Sequence, residues 1–138
     1  IGISNPFISS EYRTQMIAEL QEVNKEYVDK GIANELVIES ADTDFAGQIQ
    51  QLQNLMAKNV DAILVNPGDV NGLNATLLEA LNMGIIVISV DQELNVPGVY
   101  NVGIDQKAWA QTSAKWLADK LGGKGEIVQI EWQTIIII

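Results

Sequence analysis

Eight basic against eighteen acidic residues, a formal charge of −10 over 138 residues, leave this chain without the clustered Lys and Arg that nucleic-acid phosphates demand. With no Cys and no His, thiol chemistry, most zinc sites and both the Ser–His and Cys–His dyads are excluded together. Apolar residues at 47% exclude a disordered tail, and no apolar run approaches the ~18 residues of a membrane span, so direct membrane insertion is not expected.

The chain opens on a short apolar strand over residues 1–4, already inside a strand-like run, so any targeting segment is read as left out or removed. A loop over 5–9 leads to a helix over about 10–30. Its apolar positions Tyr12, Met16, Ile17, Leu20, Val23 and Tyr27 fall at helical spacing and predict an inward face. Ser9 or Ser10 suits its N-cap and Gly31 its close. A second strand is expected over 36–38, then a helix over 44–58 with Ile49, Leu52, Leu55 and Met56 inward. Residues 61–65 read as a buried strand ending at Asn66-Pro67-Gly68-Asp69, where Pro fixes one dihedral and Gly frees another. A helix over 71–83 stops at Gly84, and a β-branched run over 85–90 ends in Asp91. Past the turn at Pro97-Gly98 come a strand over 99–104, a helix over 105–121, a Gly-Gly-Lys-Gly stop and a strand over 126–130. The closing Ile run within 133–138 fits none of this and is read as extraneous, of uncertain identity.

Continuous apolar strands alternating with amphipathic helices predict an α/β fold: a doubly wound parallel sheet covered on both faces, in three αβα layers. In such sheets ligands gather at the carboxyl ends of the strands. That places Asn5 and Phe7 after the first strand, with Tyr12 and Arg13 at the start of the next helix. Asn66 and Asp69 follow the third strand, Asp91 and Gln92 the fourth, and Asp105 the fifth. Carboxylate, amide, aromatic and guanidinium groups together suit a polyhydroxylated ligand, whose hydroxyls both donate and accept while its C–H face lies on a ring. Each also has a plainer role. Asp91 could simply end a strand, Asp105 could cap a helix, Asn5 and Asn66 form turns, and Phe7 and Tyr12 could be core. Arg13 differs, because a cation in the first turn opposes the helix macrodipole. A residue that breaks a local rule at a strand's carboxyl end is a candidate contact for a ligand or a second lobe.

Neither a G-x-G-x-x-G after the first strand nor a phosphate-loop Gly–Lys pattern is present, and there is no G-x-S-x-G elbow. Asp42 and Asp44 read as a solvated helix start rather than a metal pair. No enzyme activity, metal or cofactor is expected.

Residues 1–7, the run Tyr12-Arg13-Thr14-Gln15-Met16, residues 61–67, residues 87–91 and residues 101–106, in that order, resemble the type I periplasmic binding proteins of sugar ABC importers, the ribose- and galactose-binding kind. The resemblance covers about residues 1–131. It implies a Rossmann-like two-lobed clamshell, secreted to the periplasm or cell surface, that closes on a sugar or polyol and presents it to a membrane permease. The family's first-lobe contacts match Asn5, Phe7, Tyr12, Arg13 and Asp91, while Asn66 and Asp105 match positions lining the cleft or hinge. Many ribose- and galactose-type relatives carry Arg directly after the fourth-strand Asp, where this chain has Gln92. Gln lacks the charge and the bidentate fork, so no particular pentose or hexose is carried over. The resemblance makes 1–103 most of the first lobe and 104–138 an incomplete start of the second, as though the chain were truncated. The effector domain of a LacI-type transcription regulator shares the fold and is the alternative; it would need a basic helix-turn-helix before Ile1.

Overall fold

The computed structural model describes residues 1–128. It divides into two compact units, Ile1–Gly103 and Ile104–Ile138. The first unit holds β1 (Gly2–Asn5), α1 (Glu11–Asp29), β2 (Val37–Ser40), α2 (Phe45–Ala57), β3 (Ala62–Val65), α3 (Asn74–Asn82), β4 (Ile86–Asp91) and β5 (Tyr100–Gly103). All pairings are parallel, in the order β2-β1-β3-β4-β5. That order puts the topological switch point between β1 and β3. The second unit contributes α4 (Gln106–Lys120).

Burial alternates along β3 and β4 with the two-residue period of a strand. Ile63, Val65 and Val87 turn toward α2 and α3 and are inaccessible, together with Leu52, Leu55, Leu73 and Leu77. On the other face Leu64, Ile88 and Val90 are only half-buried and Ile86 is exposed. Met16 and Leu20 of α1 meet Ile3, Leu64 and Val90 there across a narrow crevice. The three-layer αβα arrangement holds, with its principal core on one side of the sheet.

The inward face of α1 departs from its apolar periodicity. Tyr12, Val23 and Tyr27 are exposed, whereas Arg13 and Asn24 are buried. Polar groups are buried where partners exist, and Asn24 donates to the Asn34 carbonyl at 3.1 Å, tying the helix to the chain beyond it. Ser10 is the N-cap without a side-chain cap bond. Its carbonyl instead accepts from the Thr14 amide and the Thr14 hydroxyl, at 3.1 and 2.8 Å. Gly31, at φ +69°, closes the helix as expected: its amide reaches Val28 and that of Ile32 reaches Tyr27, each at 2.9 Å. α3 starts at Asn74 rather than 71, because Asp69 Oδ1 takes the amides of Asn71 and Gly72 into a turn, at 2.8 and 2.9 Å. Residues 126–128 carry no strand, and the remainder of that expected strand, like the Ile run, lies outside the described residues.

Leu52→Ala is expected to cost about 2–5 kcal/mol in urea denaturation, as a cavity in a closed core. Tyr27→Ala, on the exposed flank of α1, should change stability by no more than about 0.5 kcal/mol.

Candidate functional site

Every strand of a parallel sheet delivers its carboxyl end to one edge, and the residues expected there in the first unit are on it. Asn5 closes β1, Asn66 follows β3 and Asp91 closes β4. Arg13, in the first turn of α1, reaches over from the helix layer. Its Nη2 lies 3.2 Å from Asp91 Oδ2, with the Arg13 side chain 10% and the Asp91 side chain 26% exposed. This contact resolves the anomaly of a cation at a helix N-terminus: the carboxylate supplies locally what the macrodipole withholds.

Asp91 itself sits at φ +75°. For an L-residue outside Gly that backbone costs roughly 1–2 kcal/mol, least for Asp and Asn. The strained turn stands the carboxylate off the strand end and toward the guanidinium. Beneath it the Ser89 hydroxyl, fully buried, donates to the Gln92 carbonyl at 2.6 Å and holds the turn. The Gln92 side chain is exposed.

The two asparagines brace the edge. Asn66 Nδ2 donates to the Val90 carbonyl at 3.0 Å and so ties the end of β3 to that of β4. Asn5 Nδ2 donates to the Phe7 carbonyl at 2.7 Å and to Ser40 Oγ at 2.9 Å, joining the ends of β1 and β2 to the loop that carries Phe7. Asn5 Oδ1, Asn66 Oδ1 and Arg13 Nη1 are buried without a hydrogen-bond partner. An unmet buried polar atom costs about 1–3 kcal/mol, and of the four among the described residues three lie at this edge, the fourth being Asn74 Oδ1.

Phe7 and Tyr12 are not core residues. They are 42% and 57% exposed. The Arg13 guanidinium carbon lies 5.6 Å from the centre of the Tyr12 ring, a cation–π distance. The Phe7 loop is pinned from the β2–α2 connection by Asp42, whose Oδ1 accepts from the amides of Ile8 and Ser9 at 2.8 and 3.2 Å. These bonds, that from Ile8 foremost, hold the Asp42 carboxyl below its ordinary value of 3.8. Asp44 caps α2 through the Gly47 amide at 2.9 Å, so this acidic pair is engaged by backbone amides. Asp105 belongs to the second unit, where it caps α4 through the Ala108 amide at 2.8 Å. Gly68 corrects the sequence reading in a different way: it has no positive φ, and its need is space. A Cβ there would sit 3.1 Å from Pro6 Cγ and 3.3 Å from Gln48 Oε1.

Two buried residues were missed from the sequence, Gln48 and Gln51 of α2, at 1% and 7% exposure. Glutamine is a surface residue by type. Their spacing with Leu52 and Leu55, at 48, 51, 52 and 55, places them on the inward stripe, and that was the available signal.

With this geometry in place, the comparisons with known proteins bear on it directly. The chain belongs to the periplasmic binding protein domain family, whose model matches residues 1–133. It is 36% identical over 98 residues to the xylitol-binding protein of Mycolicibacterium smegmatis, covering 70% of this chain and 28% of that one. It is 26% identical over 110 residues to the ribose import binding protein of Bacillus subtilis, covering 79% and 35%. A solved ABC transporter solute-binding protein from Thermobispora bispora superposes with a TM-score of 0.79 at 28% identity, over 90% of this chain and 39% of that one. The chain thus spans about a third of the length of the relatives it matches.

The Arg13–Asp91 contact is asymmetric, which yields a test. Asp91→Asn keeps the tolerated backbone but leaves a buried guanidinium without a counter-charge, and should cost about 1–3 kcal/mol in chemical denaturation. Arg13→Met should cost less, because the Asp91 carboxylate, 26% exposed, is hydrated in its place. For Asp42 the folded-state value lies below the unfolded one, so its contribution is complete above about 3.8 and is lost as pH falls through the folded value. Protection of the Ile8 and Ser9 amides from hydrogen exchange should fade in that window, and be lost at all pH values in Asp42→Ala, which has no acceptor.

Proposed function

We propose that this chain is the ligand-binding part of the substrate-binding component of an ABC importer, taking a sugar or sugar-like polyol at the carboxyl edge of its sheet. In this reading 1–103 is most of the first lobe and 104–138 begins the second. The loaded protein works in the periplasm or at the cell surface and delivers its ligand to a membrane permease. Relatives named for xylitol and for ribose support the ligand class.

The observation that carries the reading is the Arg13–Asp91 pair at the sheet edge, with the exposed Tyr12 ring beside the guanidinium. Guanidinium donors and carboxylate acceptors cancel each other's charge while keeping their direction. Such a pair can answer vicinal hydroxyls, each of which donates and accepts, without demanding a charged substrate. Phe7 and Tyr12 offer apolar faces to the C–H side of a sugar or polyol. Asn5 and Asn66 hold unmet side-chain carbonyl oxygens at this edge, Gln92 is exposed beside Asp91, and Asp105, the N-cap of α4 in the second unit, is the remaining proposed contact. No catalytic step is assigned, in keeping with a family of transport binding proteins.

Calorimetric titration against a panel of pentoses, hexoses and polyols is expected to give saturable heat with at least one member. Arg13→Ala should weaken that binding by about tenfold or more, the ~1.4 kcal/mol of a lost charge-assisted hydrogen bond. No saturable heat with any of them at millimolar concentration would sink the assignment.

A further inference from the structure

Beneath the carboxyl edge lies a second polar layer, made of residues that are not themselves candidate ligand contacts. Gln48 and Gln51 project from the N-terminal half of α2 into the space below the ends of β1 and β3. Gln48 Nε2 donates to the Asn66 carbonyl at 2.8 Å and to Ser4 Oγ at 3.3 Å, and Gln48 Oε1 accepts from the Gly68 amide at 2.9 Å. Gln51 Nε2 donates to the Asn5 carbonyl at 3.3 Å, and Gln51 Oε1 accepts from Ser4 Oγ at 2.9 Å. Ser4 is fully buried between them.

A buried amide is costly unless both its oxygen and its nitrogen are engaged. Leu or Met would fill these positions without that risk, as Leu52 and Leu55 do one turn further along the same stripe. What the glutamines add is direction. Each clamps the backbone of one asparagine from below, Gln51 that of Asn5 and Gln48 that of Asn66 together with the turn at Gly68. The layer below is fully satisfied, whereas the side-chain oxygens of the same two asparagines above it are unmet. A satisfied network is stiff, and a stiff floor fixes where the unmet atoms stand. A side chain at residue 68 would crowd Gln48 Oε1, so the close approach of that amide depends on Gly68.

We propose that Gln48 and Gln51 are positioning residues, which fix Asn5 and Asn66 at the switch point of the sheet for ligand capture. The capture half of this inference rests on the function proposed above; the positioning half does not.

The experiment therefore has two arms, using Gln48→Met and Gln51→Met, near-isosteric changes that keep the volume of the floor. Leu77→Ala, a core change, serves as a control of lowered stability. Without ligand, NMR is expected to show faster exchange of the Gly68 amide in Gln48→Met. The side-chain amide of Asn66 should broaden or shift in that variant and that of Asn5 in Gln51→Met, with neither change in Leu77→Ala. The same changes in the control, or none in the glutamine variants, would overturn the positioning role. In the second arm xylitol and D-ribose are the titrants. Gln48→Met is expected to weaken whichever binds by about tenfold, and to add nothing further in an Asn66→Ala background, since it acts through Asn66. Independent, multiplying losses would overturn action through Asn66. A parent that binds neither titrant counts against the capture half, while the first arm still decides the positioning half.

Discussion

A guanidinium buried in the opening turn of a helix is tolerable only if something anionic meets it, and here that is Asp91. The two residues are 78 positions apart and come from different layers, so the contact joins α1 to the end of β4. Its cost is distributed. The helix accepts a cation at its wrong end, the strand accepts a left-handed residue at its last position, and one guanidinium nitrogen is left unmet. Isolated local preferences would avoid all three, and their convergence on one spot is what makes this edge the candidate site.

The two faces of the sheet divide the labour. The α2–α3 face buries Ile63, Val65 and Val87 against leucines and supplies most of the hydrophobic driving force. The α1 face carries a residue pattern just as apolar, yet leaves Ile86 exposed and Leu64, Ile88 and Val90 half-covered. Within the first unit, the principal core thus lies on one side of the sheet and the helix that carries Arg13 on the other. The switch point between β1 and β3 is where the two meet, since Gln48 and Gln51 rise to it from the core side.

Much of the fold was legible in the sequence. Runs such as Ala62-Ile63-Leu64-Val65 and Ile86-Val87-Ile88 have no polar alternation, the pattern of strands with a helix layer on each face, and the helical stretches between them impose parallel pairing. The edge residues were legible too, by their place after each strand. What periodicity could not supply was the orientation of α1, because an apolar stripe at 12, 16, 20, 23 and 27 scores equally well whether or not a partner covers it. Nor does residue type disclose a buried glutamine, whose burial depends on carbonyls and amides some twenty to fifty positions away. The Arg13–Asp91 distance is likewise a product of tertiary geometry. The sequence marked Arg13 as anomalous without saying what resolves the anomaly.

The left-handed backbone at Asp91 also limits which side chains this position can carry. Only Gly, Asn and Asp occupy that region at modest cost, and β-branched or bulky side chains are shut out. Of the three, Asp alone brings a charge to set against Arg13. The repertoire at this position is therefore nearly closed, and variation at this edge must fall on its neighbours instead. Gln92, exposed and on the next residue, is the nearest place where that freedom exists.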